Sequence, residues 1–374
     1  MAMKYYFDNA STTKVNEDVL NTYIEYTKSY YNPSALYLDS NRIEKDIEET
    51  RRNIIAYLKG ESKGKFIFTS CATESNNAVI RSCIKRKDKH YIISAGEHSS
   101  IYEPVKALIS EGYNIDLCPL NKDGSVNEPM LYSMINEKTS FVSIIHVSNE
   151  TGAINDIGTI TKRIKAINKN IIVHSDGVQA LHKLDINLTK LGVDFYTISS
   201  HKINGVKGVA GLYIAPNINF SPLLLGGGQE LSLRGGTENY SGIKAFELAI
   251  LKPYKSLEEI EILKNHLLAN LEVDYKLISE GYCVPNIIAI AFDGVRGETL
   301  VHMLEDEGFL VGTGSACNSK NTINRVLDAI GLDKKLALGN IRISFDENCS
   351  VEDILALAKA INKTVTEYRN KIVR

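Results

Sequence analysis

From Lys65 onward the chain alternates short apolar runs with longer runs whose apolar residues recur at helical spacing. "KFIFTS" predicts a strand and "ESNNAVIRSCIKRK" the helix that follows it. "HYIISA" reads as a strand, "SIYEPVKALISEG" as a helix, "FVSIIHVS" as a strand and "DIGTITKRIKAINK" as a helix. "NIIVHSD", "VDFYTIS" and "GVAGLYIAP" add three more strands. Strands that are apolar on both faces and joined by helices belong to a mainly parallel sheet covered by helices, so the fold class is α/β. Ligands of such sheets bind beyond the carboxyl ends of the strands, and there the unusual polar residues of this chain fall.

Past residue 250 the pattern changes. A charged helix, "SLEEIEILKNHLLANL", precedes the shorter elements "NIIAIAFDG", "GETLVHMLEDEG", "FLVGTG", "INRVLDAIG" and "NIRISFD" and the helix "SVEDILALAKAINKTVTEYRN". Ser350, with Glu352 and Asp353 after it, reads as the N-cap of that last helix. The expected division is a large domain over 13–250 and a smaller α/β domain made of 1–12 and 251–374.

Composition narrows the class. Of 374 residues, 44% are hydrophobic and 24% charged, and 45 acids against 43 bases leave a net charge of −2. That balance calls for neither direct nucleic-acid contact nor a membrane surface. The start, "MAMKYYFDNA", has neither the basic region nor the apolar run of a signal peptide. Six scattered cysteines (71, 83, 118, 283, 317 and 349) form no CxxC, so neither a disulfide framework nor a zinc site is indicated. The expectation is a reduced, cytoplasmic protein.

Several segments carry chemistry. "FTSCATESNNAVI" is a strand, a small-residue turn and a helix opening near Thr73, where free N–H groups and the helix dipole favour an anion. Ordinary helix capping is the simpler reading of the same residues. "HSDGVQAL" puts Asp176 at a strand end with Gln179 three residues on, either to start a turn or to pair with a ring nitrogen. "ISSHKINGVKGVAGLYI" sets Ser199, His201 and Lys202 after a strand, where a lysine is an imine candidate. "SAGEHSS" places His98 at a further strand end. "VGTGSACNSK" isolates Cys317 among glycine, serine and threonine, unlike a packed structural cysteine. An anion site, a ring-nitrogen carboxylate, an imine lysine and a ring-facing histidine are together the parts that hold pyridoxal 5′-phosphate (PLP).

The chain also resembles the cysteine desulfurases (NifS/IscS-like), in the class V branch of the fold-type I PLP enzymes. The matching segments run in register through nearly the whole chain: "YFDNASTTKV", "YNPSALY", "FTSCATESNN", "GEHSS", "HVSNETGAIND", "HSDGVQAL", "SSHKINGVKGVAGLYI", "GGGQELSLRGGTEN", "GTGSACNS" and "IRISF". The resemblance implies that Lys202 carries PLP, that His98 stacks on its ring, that Asp176 pairs with the ring nitrogen and that Gln179 reaches the phenolic oxygen. Ala72, Thr73, Ser199 and His201 would hold the phosphate, with Ser200 also at the cofactor. Thr237 would reach the phosphate of the other subunit of a homodimer with shared active sites. Asn149 and Arg342 would bind the carboxylate of L-cysteine, with Asn149 also near the cofactor. Cys317, on the loop of the smaller domain, would take the sulfur as a persulfide, leaving L-alanine. Either His98 or the substrate-bound cofactor would deprotonate it.

The sulfur would then pass to an acceptor protein, an iron–sulfur scaffold or a tRNA-thiolation enzyme. Family members commonly have glycine where Cys71 and Ser200 stand and proline where Val206 stands. Rival readings are a selenocysteine lyase, an aminotransferase, which has no need of Cys317, and a catalytically silent scaffold, which would not need Lys202, Asp176, His98, Arg342 and Cys317 together.

Overall fold

The computed structural model describes residues 5–313 and 323–372. Twelve strands are present among them: β1 (Tyr5–Phe7), β2 (Lys65–Thr69), β3 (His90–Ser94), β4 (Asn114–Cys118), β5 (Thr139–Ser143), β6 (Ile172–Asp176), β7 (Phe195–Ser199), β8 (Ala210–Ile214), β9 (Lys276–Leu277), β10 (Ile287–Ala291), β11 (Phe309–Val311) and β12 (Asn340–Ser344). Seven of them form one sheet in the order β2-β8-β7-β6-β5-β3-β4. The pairs β3–β4, β3–β5, β5–β6 and β6–β7 are parallel. Only β8 runs against its neighbours, β7 and β2. It returns from β7 through residues 200–209, too short a connection for the crossover that a parallel pair needs.

Side chains on these strands alternate between two apolar clusters. Phe66, Phe68, Ile92, Tyr196 and Ile198 belong to one, and Ile67, Tyr91, Ile93 and Phe195 to the other. Period-two alternation with both sets buried means helices cover both faces, as the apolar pattern predicts. The helix Leu38–Tyr57 supplies part of one cover. Its mean composition is polar, but Ile43, Ile47, Thr50, Arg51 and Ile54 recur at helical spacing and are buried.

The C-terminal region has its own apolar cluster, built from β10, β12, β1 and β11 and from the helices Leu257–Ala269, Gly297–Asp306 and Val351–Ile372. Strands β12-β10-β9 form an antiparallel sheet, and β1 pairs with β11 in parallel. Bridges at Asp8–Ser344 and Gly312–Arg342 join the two. At the last helix Ser350 is the N-cap expected there, and the cap is reciprocal: Asp353 N–H donates to the Ser350 hydroxyl (3.1 Å) and Ser350 N–H to the Asp353 carboxylate (3.0 Å). No helix among the described residues is long and apolar enough to cross a membrane.

Candidate active site

Because β2, β3, β5, β6 and β7 all point the same way, their carboxyl ends share one edge of the sheet. A pocket of about 400 Å³ opens there. Ala72 and Thr73 follow β2 into its wall, His98 follows β3, and Asn149 and Glu150 come from the loop after β5. Asp176 ends β6 and Gln179 lies in the turn after it, and His201 and Lys202 follow β7. Ala10, Ser11 and Arg342 line the pocket from the other cluster of strands. The loops that the sequence singles out therefore converge on one cavity.

Asp176 is 3% exposed. Its Oδ2 accepts a hydrogen bond from Asn76 Nδ2 (2.8 Å) and its Oδ1 one from Val178 N–H (3.0 Å). Asn76 Nδ2 also reaches Ser100 Oγ (2.8 Å), and that hydroxyl lies 2.8 Å from His98 Nδ1. Ser100 N–H donates to the same Nδ1 (3.1 Å). A backbone amide only donates, so Nδ1 is an acceptor and neutral His98 carries its proton on Nε2. Desolvation lowers the His98 pKa, with the Asp176 charge pulling the other way.

Lys202 Nζ donates to the carbonyls of Ala10 and Ser11, both at 2.6 Å. Desolvation, reinforced by Arg342, brings its pKa down to about 8, although Asp8, Asp176 and Glu150 oppose the shift. A free amine is therefore accessible near neutral pH, which imine chemistry requires. His201 Nδ1 lies 3.1 Å from Thr12 Oγ1, and desolvation together with Lys202 lowers its pKa to about 4, so the ring is neutral. Gln179 Nε2 donates to Ala10 O (2.9 Å) while its Oε1 accepts from Lys183 (3.2 Å).

Arg342 on β12 is 4% exposed. Nη1 donates to Asn149 O (2.9 Å), and Nη2 donates to Asp8 Oδ1 and Ser11 Oγ, both at 2.9 Å. Glu150 stands 3.8 Å from Nη1, and its Oε1 accepts from Asn149 Nδ2 (2.6 Å). The guanidinium Nε is buried with no partner, so one donor of its fork stays open.

The helix Ala72–Cys83 has Cys71 at its N-cap with no side chain capping it, which leaves first-turn N–H groups free for an anion. Its first-turn acid, Glu74, is tied to Arg234 (2.8 Å) and to the Ser70 hydroxyl (2.6 Å). Ser199 and Ser200 are buried with unpartnered hydroxyls, and neither lines the pocket. Ser200 fits because Gly205 lacks the β-carbon that would collide with its Oγ. Val206 is buried in the larger apolar cluster and Cys71 is exposed. Thr237 is exposed and lies away from the pocket. Cys317 lies outside the described residues.

These residues fit PLP. An uncapped helix terminus suits its phosphate, a buried carboxylate with only neutral partners suits a protonated ring nitrogen, and an amine with a lowered pKa suits its aldehyde. The residue-by-residue reading misses Asn76 and Ser100, which link Asp176 to His98, and Asp8, Ser11 and Glu150 around Arg342. All five lie inside the quoted segments, but no spacing in the sequence announces which strand ends they bridge.

Comparison with known proteins agrees with this geometry. The family model described as aminotransferase class-V matches residues 5–357. Cysteine desulfurase IscS of Dictyoglomus turgidum is 34% identical, over 99% of this chain and 96% of its own. Cysteine desulfurase IscS 1 of Archaeoglobus fulgidus is 33% identical, over 98% of each. The solved structure of a NifS-like protein superposes with a TM-score of 0.90 at 32% identity, covering 98% of this chain and 100% of that one. With the match running through both clusters of strands and every wall of the pocket, the chain belongs to the aminotransferase class-V family, among the PLP-dependent cysteine desulfurases.

Proposed function

We propose that this enzyme converts L-cysteine to L-alanine at the pocket and takes the sulfur onto Cys317. The observation that carries the reading is Lys202, its amine available near pH 8, within one pocket that also holds Asp176, His98 and Arg342. When bound, PLP supplies an aldehyde that captures amines and a ring that accepts the electrons of a broken bond. Lys202 would hold it, Asp176 would hold a proton on the ring nitrogen, and Gln179 would donate to the phenolic oxygen. Ala72, Thr73 and His201, which line the pocket, would form the phosphate end, and Ser199 and Ser200 would have to turn their unpartnered hydroxyls toward it.

Arg342 and Asn149 would orient the cysteine carboxylate, and freed Lys202 Nζ would take the α-proton. Cys317 sulfur then attacks the substrate sulfur. The substrate carbon–sulfur bond breaks with its electron pair kept on carbon, which a proton completes. L-cysteine and a thiol thus become L-alanine and a persulfide, with no outside oxidant. His98, its Nδ1 engaged by Ser100 N–H, offers Nε2–H and so serves as a proton donor rather than as the base for Cys317. In this reading residues 13–250 hold the cofactor, while 1–12 and 251–374 carry Cys317. The enzyme is a cytoplasmic homodimer with Thr237 serving the partner's phosphate, and a scaffold or thiolation protein receives the sulfur.

The test is incubation with L-cysteine and a reducing thiol, counting sulfide and alanine. Equal amounts are expected from the native enzyme, and Cys317→Ser should stay yellow while releasing background sulfide only. Persulfide found on the Cys71 peptide, with Cys317 clean, would move the nucleophile.

A further inference from the structure

Lys183 is buried near the site and has no part in the chemistry above. It is 8% exposed, and the one hydrogen-bond partner of its Nζ among the described residues is Gln179 Oε1 at 3.2 Å. Buried ammonium groups ordinarily collect carboxylates, because desolvating a lone charge is costly. Here the donor is spent on a neutral amide. That amide forms part of the wall between two cavities, the active pocket on one side and, on the other, a small space lined by Lys183, Lys202, Asn9 and Asn286.

We propose that Lys183 is a positioning residue that acts through Gln179, fixing its amide so that an N–H faces the cofactor. The inference rests on the reading of Gln179 as donor to the phenolic oxygen. Gln179 touches Lys183 Nζ, which as an ammonium only donates, and a group that only accepts, Ala10 O. Both contacts require the same orientation of the amide, Oε1 toward the lysine and Nε2 toward the carbonyl. One N–H of Nε2 goes to Ala10, which leaves the second for a ligand in the pocket. A positive group on Oε1 also polarises the amide and makes that N–H a better donor. Desolvation and the Lys202 charge bring Lys183 down to about pH 7, so the polarising charge is present below that pH, while Ala10 O keeps the amide in the same orientation above it.

The experiment follows the visible band of the PLP-loaded enzyme against pH in the native protein, Gln179→Ala, Lys183→Met and the double variant. Losing a donor to the phenolic oxygen makes that oxygen more basic, so Gln179→Ala should raise the midpoint by roughly one pH unit, as expected for the loss of one hydrogen bond to a charged group. Lys183→Met should raise it by part of that amount and weaken PLP binding by up to about tenfold. In the Gln179→Ala background the same change should add nothing, as a residue acting through another requires. Lys183→Arg keeps a donor and should hold the native midpoint.

Methionine matches the length of lysine without its charge, and melting temperatures check that the variants fold. A midpoint unmoved in Gln179→Ala would overturn the reading of Gln179 itself. A midpoint moved in Gln179→Ala but unmoved in Lys183→Met, or a Lys183→Met shift equal in both backgrounds, would overturn the role of Lys183. A lower melting temperature with an unmoved midpoint would mark it as structural only.

Discussion

The two charged walls of the pocket are built on opposite principles. Asp176, at the end of β6, is held by an asparagine amide and a backbone N–H, both neutral. Its negative charge is left whole for whatever cation enters. Arg342, on β12, already faces the Asp8 carboxylate at 2.9 Å and that of Glu150 at 3.8 Å. Its positive charge is partly spent, and an incoming carboxylate has to share it. The cofactor side is thus prepared in advance, whereas the substrate side begins in competition. Tight cofactor retention and moderate substrate affinity follow from that difference.

Removing the group on which both walls act gives the largest break. Lys202→Ala should cut turnover by at least about a thousandfold, the scale on which a positioned acid–base group that also holds the cofactor contributes, since among the described residues no other lysine lines the pocket. Sulfide release near the native rate would end the assignment. A sharper probe is the pH dependence of cofactor reloading. The reactive form of Lys202 is the neutral amine, and a pKa lowered from 10.5 to about 8 fills that form as pH rises through about 8. Reloading of cofactor-free protein at neutral pH should therefore run on the order of a hundredfold faster than an ordinary lysine allows. A rate still climbing through pH 10 would show a lysine without the depression.

On the substrate wall, Arg342→Ala should raise KM for cysteine roughly tenfold to a hundredfold, the range for losing a charge-assisted fork, while the visible spectrum stays native. An unchanged KM would hand the carboxylate to another residue. The smallest effect belongs to Ser100→Ala. Backbone N–H of residue 100 still holds His98 Nδ1, so kcat should fall only about two- to fivefold, the scale of one neutral hydrogen bond. A loss as deep as that of Lys202→Ala would mean that the hydroxyl itself carries protons.

Much of this was legible in the sequence, and the exceptions have physical causes. Strands such as "YIIS" and "FYTIS" are buried on both faces and announce themselves as apolar runs. Strand β4 does not, because it lies at the sheet edge with Asn114, Asp116 and Leu117 exposed. The helix Leu38–Tyr57 is concealed by charge, since only one stripe of it is covered. At the site, Lys202, Asp176 and Arg342 stand out because their chemistry is scarce at strand ends. Asn76 and Ser100 are ordinary helix residues until folding brings them to within 2.8 Å of each other. Asp8 is likewise an unremarkable acid after a short strand, and only the return of the chain at β12 makes it a neighbour of Arg342.

That return also sets the order of assembly. Among the described residues strand β1 pairs only with β11, Tyr5 against Phe309, and the residues just after it furnish both carbonyls that receive Lys202. A segment that precedes the seven-stranded sheet in the chain thus waits for one that follows it. Until then the lysine has no resting place and Arg342 has not been made. Cofactor capture in its working geometry therefore follows the pairing of these distant segments, a long-range closure that is slow compared with local steps of folding.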